Sequence, residues 1–244
     1  MTRAPSRSLF VVLLLFVAAS ANAVCPYSRL ISFGGYDWCV KRSNGKVGPG
    51  PNYFSDSTNN VWVDTQGRLH LKITRSGGRW YCAEVVSADS FGFGTYRFYL
   101  GSAVDDLDPN VVLGLFTWSD DPAYNNREID IEFSRWGDPN NQNAQYVVQP
   151  YTQSQNITRF DMPTNQSLHQ FLWEAAAVSF RSVNGFDPFP PNPSDIIKEW
   201  VYAGPDVPQA GGENARIVLF LRGGARPLNR LPVEIVVTRF EFIP

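Results

Sequence analysis

Short stretches in which apolar and polar residues alternate recur along most of the chain. Segments 60–64 and 68–74 alternate on either side of a turn at residues 66–67, and 111–118 is an almost continuous apolar run. A two-residue period is typical of a β-strand with one buried face, and a short apolar run of a strand buried on both faces. No window shows the 3.6-residue period of an amphipathic helix. The pattern predicts an all-β sandwich of two antiparallel sheets, with further strands at 83–90, 91–100, 128–133, 144–149, 170–175, 177–183, 196–202, 216–221 and 234–242.

Acidic and apolar residues alternate strictly in one of these strands, residues 128–133. Successive side chains of a strand point to opposite faces, so Glu128, Asp130 and Glu132 share one face and three apolar residues share the other. Three like charges on one face repel each other, which is unfavourable for a purely structural strand. Catalysis by a base or nucleophile paired with an acid is the simplest reason to keep all three. A solvated acidic strand face is the alternative.

The spacing of Glu128 and Glu132 does not select one catalytic outcome. Along an extended strand their backbones lie roughly 13 Å apart. Retaining glycoside hydrolysis requires two carboxyl groups about 5–5.5 Å apart, and inverting hydrolysis requires about 6.5–9.5 Å. Two glutamate side chains leaning over Asp130 on a bent strand can reach either separation.

The N-terminus has the pattern of a secretory signal peptide over residues 1–23. Arg3 and Arg7 precede an apolar run at 9–19, and small residues at 21 and 23 form a cleavage site after Ala23. We therefore expect a protein secreted to the extracellular space or the periplasm, with residues 24–244 as a single domain. The apolar run is too short for a membrane span, so no membrane partner is expected.

Composition narrows the class of partner. The chain has 21 Lys and Arg against 23 Asp and Glu, a formal net charge of −2, and no basic stripe that could neutralise phosphates. Nucleic acid is therefore excluded as a partner. Aromatic residues make up 14% of the chain, including seven Trp. That abundance fills a core and leaves rings for a binding surface. We expect a monomer.

Three cysteines leave one thiol unpaired in an oxidising compartment. Cys39 and Cys82 both adjoin aromatic-rich predicted strands, which favours a disulfide between them and a free Cys25. No cysteine has a histidine or second cysteine at metal-ligand spacing, so no metal or other cofactor is expected. A structural calcium ion is not indicated by any loop. His70 and His169 lie in predicted strands, where a surface or satisfied-core role is favoured over catalysis.

The sequence EIDIEF at 128–133, with FTW at 116–118 before it, resembles the catalytic strand of glycoside hydrolase family 16. It is similar to the unbulged E-x-D-x-E form of bacterial β-1,3-1,4-glucanases (lichenases) and plant xyloglucan endotransglycosylases. The resemblance covers most of the chain after residue 23, since further landmarks occur in the family's order at 60–74, 82–84, 91–94 and 173–185.

This resemblance implies a β-jelly-roll sandwich of two curved sheets, whose concave face forms a saccharide cleft. It also implies hydrolysis or transglycosylation with retention of anomeric configuration. Glu128 would be the nucleophile, Glu132 the general acid/base, and Asp130 the residue that tunes the charge between them.

Three departures from the family pattern concern the substrate rather than the catalytic residues. Val86 stands where lichenases carry an arginine. The strand after the acidic one offers at most Gln145 or Gln149 to the cleft. The late Asn-Leu-Trp landmark is replaced by residues 219–221, Leu-Phe-Leu.

Sugar rings stack their apolar faces on aromatic side chains, so a saccharide cleft needs exposed rings. Position around the motif favours Trp118 and Trp136, followed by Phe93 and Trp173. For each of these the alternative is burial in the core. Glu84 is a polar residue in an apolar strand and is a candidate to bind sugar hydroxyls, with a surface salt bridge as its alternative.

Three functions follow from these features. The first is an exported endo-acting β-glycanase or transglycosylase acting on a polysaccharide such as a β-glucan. The second is a carbohydrate-binding sandwich without turnover, and the third is a structural protein of the cell wall. Two carboxylates flanking one site are required for turnover and not for binding, so the intact acidic motif favours the enzyme.

Overall fold

A computed structural model of the chain describes residues 25, 27–163 and 165–244. The predicted signal peptide, residues 1–23, lies outside the described residues. Within them, sixteen strands are connected by turns and four short 3-10 segments (Ala123–Arg127, Ser154–Asn156, Pro193–Asp195 and Arg222–Gly224). The strands are β1 Arg29–Phe33, β2 Tyr36–Val40, β3 Tyr53–Phe54, β4 Val61–Val63, β5 Leu69–Ser76, β6 Arg79–Ser90, β7 Gly94–Leu100, β8 Val111–Trp118, β9 Ile129–Phe133, β10 Ala144–Val148, β11 Ile157–Phe160, β12 Ser167–Trp173, β13 Val178–Asn184, β14 Ile196–Tyr202, β15 Asn214–Leu221 and β16 Val233–Ile243.

The strands form two antiparallel layers that continue into each other. The first layer has the order β11-β10-β9-β8-β15-β6-β2-β1, and the second has the order β4-β5-β16-β7-β12-β13-β14. Pairing of β5 with β6 joins them, and β3 adds to β6 in parallel. The result is one curved, nearly closed sheet. The predicted all-β sandwich is confirmed.

The core lies between the layers and is filled by alternate side chains of each strand. Leu113, Leu115 and Phe133 come from the first layer, and Tyr96 and Phe171 from the second. All five are fully buried. Because every second residue of a strand is committed to this core, the residues between them on the first layer are left to form an outer face.

Both histidines lie in strands, as predicted, and both rings have hydrogen-bond partners. His169 is buried between the hydroxyls of Ser167 and Ser182, at 2.8 and 2.7 Å. Burial lowers its pKa to about 3, so the ring is neutral at ordinary pH. His70 contacts Asp64 and Glu234 at 3.1 and 2.9 Å.

The cysteine pairing predicted from the sequence is wrong. The disulfide joins Cys25 to Cys39, and Cys82 is a free, buried thiol. The cause is sheet register: Cys39 pairs with Val86 of β6, four residues from Cys82, which is a separation of about 13 Å along an extended strand. The Cα atoms of Cys25 and Cys39 are 5.6 Å apart, within the range that a disulfide spans.

Thiol chemistry tests this pairing. We expect non-reducing peptide mapping of the folded protein to recover a Cys25–Cys39 cross-linked peptide and an unmodified Cys82. Burial raises the pKa of the Cys82 thiol to about 12, so alkylating reagents should label it only after unfolding. Recovery of a Cys39–Cys82 peptide would contradict the structure.

In the described part of the chain, no helix is long and apolar enough to cross a membrane.

Candidate active site

Strand β9 and the extended residue before it, Glu128, place three carboxylates on the outer face of the first layer. Ile129 and Ile131 are buried in the core. Because the side chains of a strand alternate, Glu128, Asp130 and Glu132 point to the opposite side. All three line the same cleft, so the structure brings together the three acids that the sequence singles out.

An unusual turn leads into Glu128. Residues 124–127 are four consecutive non-glycine residues with φ between 51° and 60°, a left-handed conformation that side-chain-bearing residues rarely adopt. Arg127 holds the turn in place: its carbonyl accepts a hydrogen bond from the Thr117 hydroxyl at 2.8 Å, and its guanidinium donates to Asp121 at 3.0 Å. Strained backbone of this kind is concentrated at functional sites.

The pairing register extends the acidic face into rows that cross several strands. Directly paired residues point to the same face of a sheet. The row through Glu132 contains Arg159, Gln145, Glu132, Gly114, Val218 and Glu84. The row through Asp130 contains Val147, Asp130, Phe116, Arg216 and Val86. Each acid therefore has its own set of neighbours.

Glu132 is held by a chain of donors on one side. Gln145 donates from Nε2 to Glu132 Oε2 at 2.5 Å, and Arg159 donates from Nε to Gln145 Oε1 at 3.1 Å. The Arg159 guanidinium lies over the Trp136 ring, 4.6 Å from its centroid. Burial raises the pKa of Glu132, while Gln145 and the charge of Arg159 oppose that rise. The bond from Gln145 fixes one carboxyl oxygen and leaves Oε1 without a described hydrogen-bond partner.

Asp130 and Glu128 share a hydrogen bond and are set apart by their environments. Burial, followed by the charges of Glu128 and Glu132, raises the pKa of Asp130 well above its usual range, although Gln149 donates to it at 3.0 Å. Burial and the charge of Glu132 raise the pKa of Glu128 to about 7, and its hydrogen bond with Asp130 limits the rise. Their hydrogen bond raises the pKa of Asp130 and lowers that of Glu128, so it favours the proton on Asp130 and the charge on Glu128.

The cleft around the acids has a volume of about 540 Å³ and opens to solvent. Its polar end is formed by the acids, and its other walls are largely apolar. Tyr27, Phe116, Trp118, Val218 and Phe220 form these walls. The volume lies within the range of small-molecule sites, about 300–1,000 Å³. Aromatic walls beside paired carboxyl groups suit a ligand with apolar ring faces and polar edges.

Glu84 lines this cleft and is fully buried at 0% exposure. Its carboxylate binds Lys41 Nζ at 2.5 Å and Arg216 Nη1 at 3.3 Å. A buried carboxylate without such partners would be strongly unfavourable. The salt bridge proposed as an alternative therefore exists, but it forms the floor of the cleft rather than part of the outer surface.

Arg216 is a cleft residue that sequence reasoning missed. Its guanidinium lies over Trp118, 5.8 Å from the ring centroid, and its charge lowers the pKa of Glu128. Its Nε is buried and has no hydrogen-bond partner within the described residues. Arg216 also pairs directly with Val86. It therefore supplies an arginine to the row that runs through Asp130 and Val86. The sign of this role in the sequence is that Arg216 is the single charged residue in the otherwise apolar segment 216–221.

Of the other predicted binding residues, some line the cleft or contact the acids and others lie elsewhere. Trp118 lines the cleft, whereas Trp136 lies outside its lining and supports Arg159. Gln145 and Gln149 both reach the acids, as bonding partners rather than free groups.

Trp173 and Phe93 are not part of the cleft, so the sequence-based prediction that they bind the saccharide is wrong. Trp173 is 0% exposed in the core, and its indole N–H donates to the Pro208 carbonyl at 3.0 Å. Phe93 is 38% exposed, but its ring packs on Trp173 with centroids 5.2 Å apart. Neither residue lines the cleft. Both residues lie in segments with alternating residue types, so the sequence pattern does not show which face they point to. In the structure, Trp173 lies on β12 of the second layer, and its side chain points into the core rather than toward the acids.

No cluster of three or more His, Cys, Asp or Glu side chains in the described residues could hold a metal ion.

Three solved structures resemble this chain over most of its length. The β-glucanase of Bacillus licheniformis matches with a TM-score of 0.59 and 17% identity, covering 85% of this chain and 92% of the other. A β-1,3-1,4-glucanase (lichenase) from a mouse hindgut metagenome gives a TM-score of 0.58 and 19% identity, with 89% and 94% covered. The chain has the β-glucanase fold.

A third structure with this fold is a Mycobacterium tuberculosis protein described as an immunostimulatory antigen and pseudo β-1,3-glucanase. It matches with a TM-score of 0.62 and 20% identity, covering 85% of this chain and 91% of the other. No protein-family model and no curated protein matches the sequence. At these identities the structures share the β-glucanase fold, and a shared fold does not by itself establish a shared function.

Proposed function

We propose that this protein is a secreted retaining endo-β-glycanase of the glycoside hydrolase family 16 type, which hydrolyses or transglycosylates a β-linked glucan. One observation carries the proposal: Glu128, just before β9, and Glu132, on β9, line one cleft, yet have different hydrogen-bond partners. Two carboxyl groups in different environments are what a nucleophile and an acid/base pair require.

Glu128 is the nucleophile in this proposal. Its carboxylate attacks the anomeric carbon and forms a covalent glycosyl-enzyme, while the bond to the leaving oxygen breaks. Asp130 donates a hydrogen bond to Glu128 and can strengthen or relax it as the charge on Glu128 changes. The nearby cation of Arg216 favours the ionised form.

Glu132 is the acid/base. Burial raises its pKa, which favours the protonated form that an acid needs. With Oε2 occupied by Gln145, Oε1 is placed to protonate the leaving oxygen. The same group then removes a proton from the water or sugar hydroxyl that resolves the intermediate. Water gives hydrolysis and a sugar hydroxyl gives transglycosylation.

A glucan is the preferred substrate class because the cleft combines aromatic walls with groups that bind hydroxyls. Trp118 and Phe116 can stack on apolar ring faces. Glu84, Lys41 and Arg216 at the floor can exchange part of their mutual pairing for bonds to sugar hydroxyls. The export component of the proposal depends on the pattern of residues 1–23 and agrees with a disulfide, which persists in oxidising compartments.

Release of reducing ends tests the proposed function. The parent protein is incubated with β-1,3-glucan, mixed-linkage β-1,3-1,4-glucan and xyloglucan, with agar, carrageenan and chitin-derived polymers as comparison substrates. We expect new reducing ends and a falling chain length from at least one β-glucan, or exchange between labelled glucan chains if transglycosylation dominates. Absence of both from every β-glucan would reject the enzymatic proposal.

A glucan-binding protein without turnover is the second candidate. It is favoured by the structural neighbour from M. tuberculosis, which is described as a pseudo β-1,3-glucanase. A structural protein of the cell wall is a third possibility, favoured by no separate observation. Retention of the protein on a β-glucan in affinity electrophoresis, without reducing-end release or chain exchange, would select the binding function.

The pH profile reports on the hydrogen bond between Asp130 and Glu128. Glu128 must be ionised to attack and its pKa is raised to about 7, so kcat/KM should fall as pH drops through about 7. Asp130→Ala removes a donor to the carboxylate, which raises the pKa of Glu128 further and moves this limb up by about one to two pH units. Asp130→Asn keeps an N–H donor and should move it less. Identical limbs in all three proteins would contradict this role of Asp130.

A further inference from the structure

A second, larger cavity adjoins strands β3 to β6, beside the cleft that holds the acids. Its volume is about 940 Å³, near the upper end of the range for ligand sites, about 300–1,000 Å³. Half of its lining residues are Ser, Thr or Asn. Neither the acidic strand β9 nor any proposed catalytic residue contributes to it, so the proposed mechanism leaves this cavity without a role.

The charge of this cavity is strongly one-sided. Arg42, Lys72, Arg75 and Arg79 line it, and Asp56 is its single carboxylate. Lys72 is paired with a glutamate outside the lining, at 2.8 Å. Among the described residues the three arginines form no ion pair. In a chain with a net charge of −2, this concentration of unpaired guanidinium groups favours a negatively charged ligand.

Aromatic rings stand among these cations. The Tyr53 and Tyr81 rings have centroids 6.0 Å apart, and the Arg79 guanidinium lies 5.2 Å from the Tyr53 centroid. Trp62 lines the cavity farther along and stacks one face on His70 at 4.5 Å. Hydroxyls, amides and aromatic rings together provide the groups that bind the polar edges and apolar faces of sugar rings.

The two cavities share a wall. Arg42, Ser43 and Asn44 line both the cleft that contains the acids and the larger cavity. A chain of sugar units lying along the cleft can therefore pass over this wall into the second cavity without leaving the protein surface. This continuity favours a glycan over a nucleic acid, whose recognition would need bases stacked along a basic groove.

We propose that the larger cavity is a second, non-catalytic binding site for an acidic glycan, in which sugar units carry carboxylate or sulfate groups. The hydroxyl and amide wall with Tyr53 and Tyr81 binds the sugar rings, and Arg75 and Arg79 bind the acidic groups. The choice of a glycan as ligand rests on the proposed function of the adjoining cleft, whereas binding at this site does not require the acids of β9 to catalyse turnover.

Equilibrium binding with matched glucans tests the site. One β-glucan is prepared at equal chain length in neutral, carboxymethylated and sulfated forms. Binding is measured by titration calorimetry at fixed ionic strength, in a Glu128→Gln background that prevents cleavage. We expect either or both acidic forms to bind more tightly than the neutral form, with affinity falling as salt rises. Arg75→Ala with Arg79→Ala should weaken acidic-form binding at least about tenfold and leave neutral-form binding unchanged.

Arg226→Ala is the matched control, since it removes an exposed arginine that lines neither cavity and should leave affinity unchanged. Binding of one acidic form alone would support the site and identify the preferred group. Equal affinity for neutral and acidic glucan, equal losses in the control and the double variant, or equal binding of a single-stranded oligonucleotide would overturn the proposal. Unchanged thermal unfolding of the double variant establishes that the fold is intact.

Discussion

Glu128→Ala is expected to abolish cleavage of β-glucan, with a loss of about 10⁴-fold or more in kcat. The covalent route depends on the Glu128 carboxylate, and alanine leaves a space without a nucleophile. A small anion such as azide can enter that space. With an activated aryl β-glycoside, azide should partly restore turnover and give a glycosyl azide of inverted configuration, because the anion attacks from the face that Glu128 occupied.

Product stereochemistry, followed by NMR, is the decisive measurement for this variant. Glu174→Ala is a matched control: it removes an exposed carboxylate that does not line the cleft and should retain parental activity. Thermal stability of Glu128→Ala should equal or exceed that of the parent, because a buried, mutually repelling carboxyl group has been removed. Cleavage of glucan at the parental rate would show that Glu128 is not the nucleophile.

Glu132→Ala is expected to separate substrates by leaving group. Natural glucans need the departing oxygen to be protonated, so their kcat/KM should fall by about 10²- to 10⁴-fold. An aryl glycoside with a good leaving group needs no proton, so formation of its glycosyl-enzyme should be largely spared. Azide should then attack that intermediate and give a product of retained configuration.

Gln145→Ala provides a second measurement on the same acid. The bond from Gln145 to Glu132 lowers the pKa of that carboxyl. Its loss should raise the pKa of Glu132 and move the alkaline limb of the pH profile to higher pH, without the leaving-group dependence of Glu132→Ala.

A Glu132→Ala variant that loses activity equally on glucan and on the activated glycoside would contradict the acid/base assignment.

The strand pattern of this protein follows from its sequence with good accuracy. Predicted strands 111–118 and 196–202 have the observed bounds of β8 and β14, and the hairpin around residues 66–67 is present as β4 and β5. The shared face of the three acids at 128, 130 and 132 also follows from the sequence. Alternation is a local property of an extended backbone, so one strand reveals which side chains share a face without knowledge of its neighbours.

The contacts between distant strands required the tertiary structure. Arg216 and Glu84 are 132 residues apart in sequence, and they meet only because β15 and β6 pair in a particular register. The same dependence on register separates Cys39 from Cys82 and buries Trp173 in the core.

The sequence by itself determined an all-β chain with three acids on one face of one strand. The tertiary structure decided that these acids lie in a cleft, that Glu132 is bonded to Gln145 while Asp130 is bonded to Gln149, and that Arg216 faces Glu128. The physical reason is that side-chain alternation is fixed by the local backbone. Burial, pairing and pKa depend on which strands the fold places side by side.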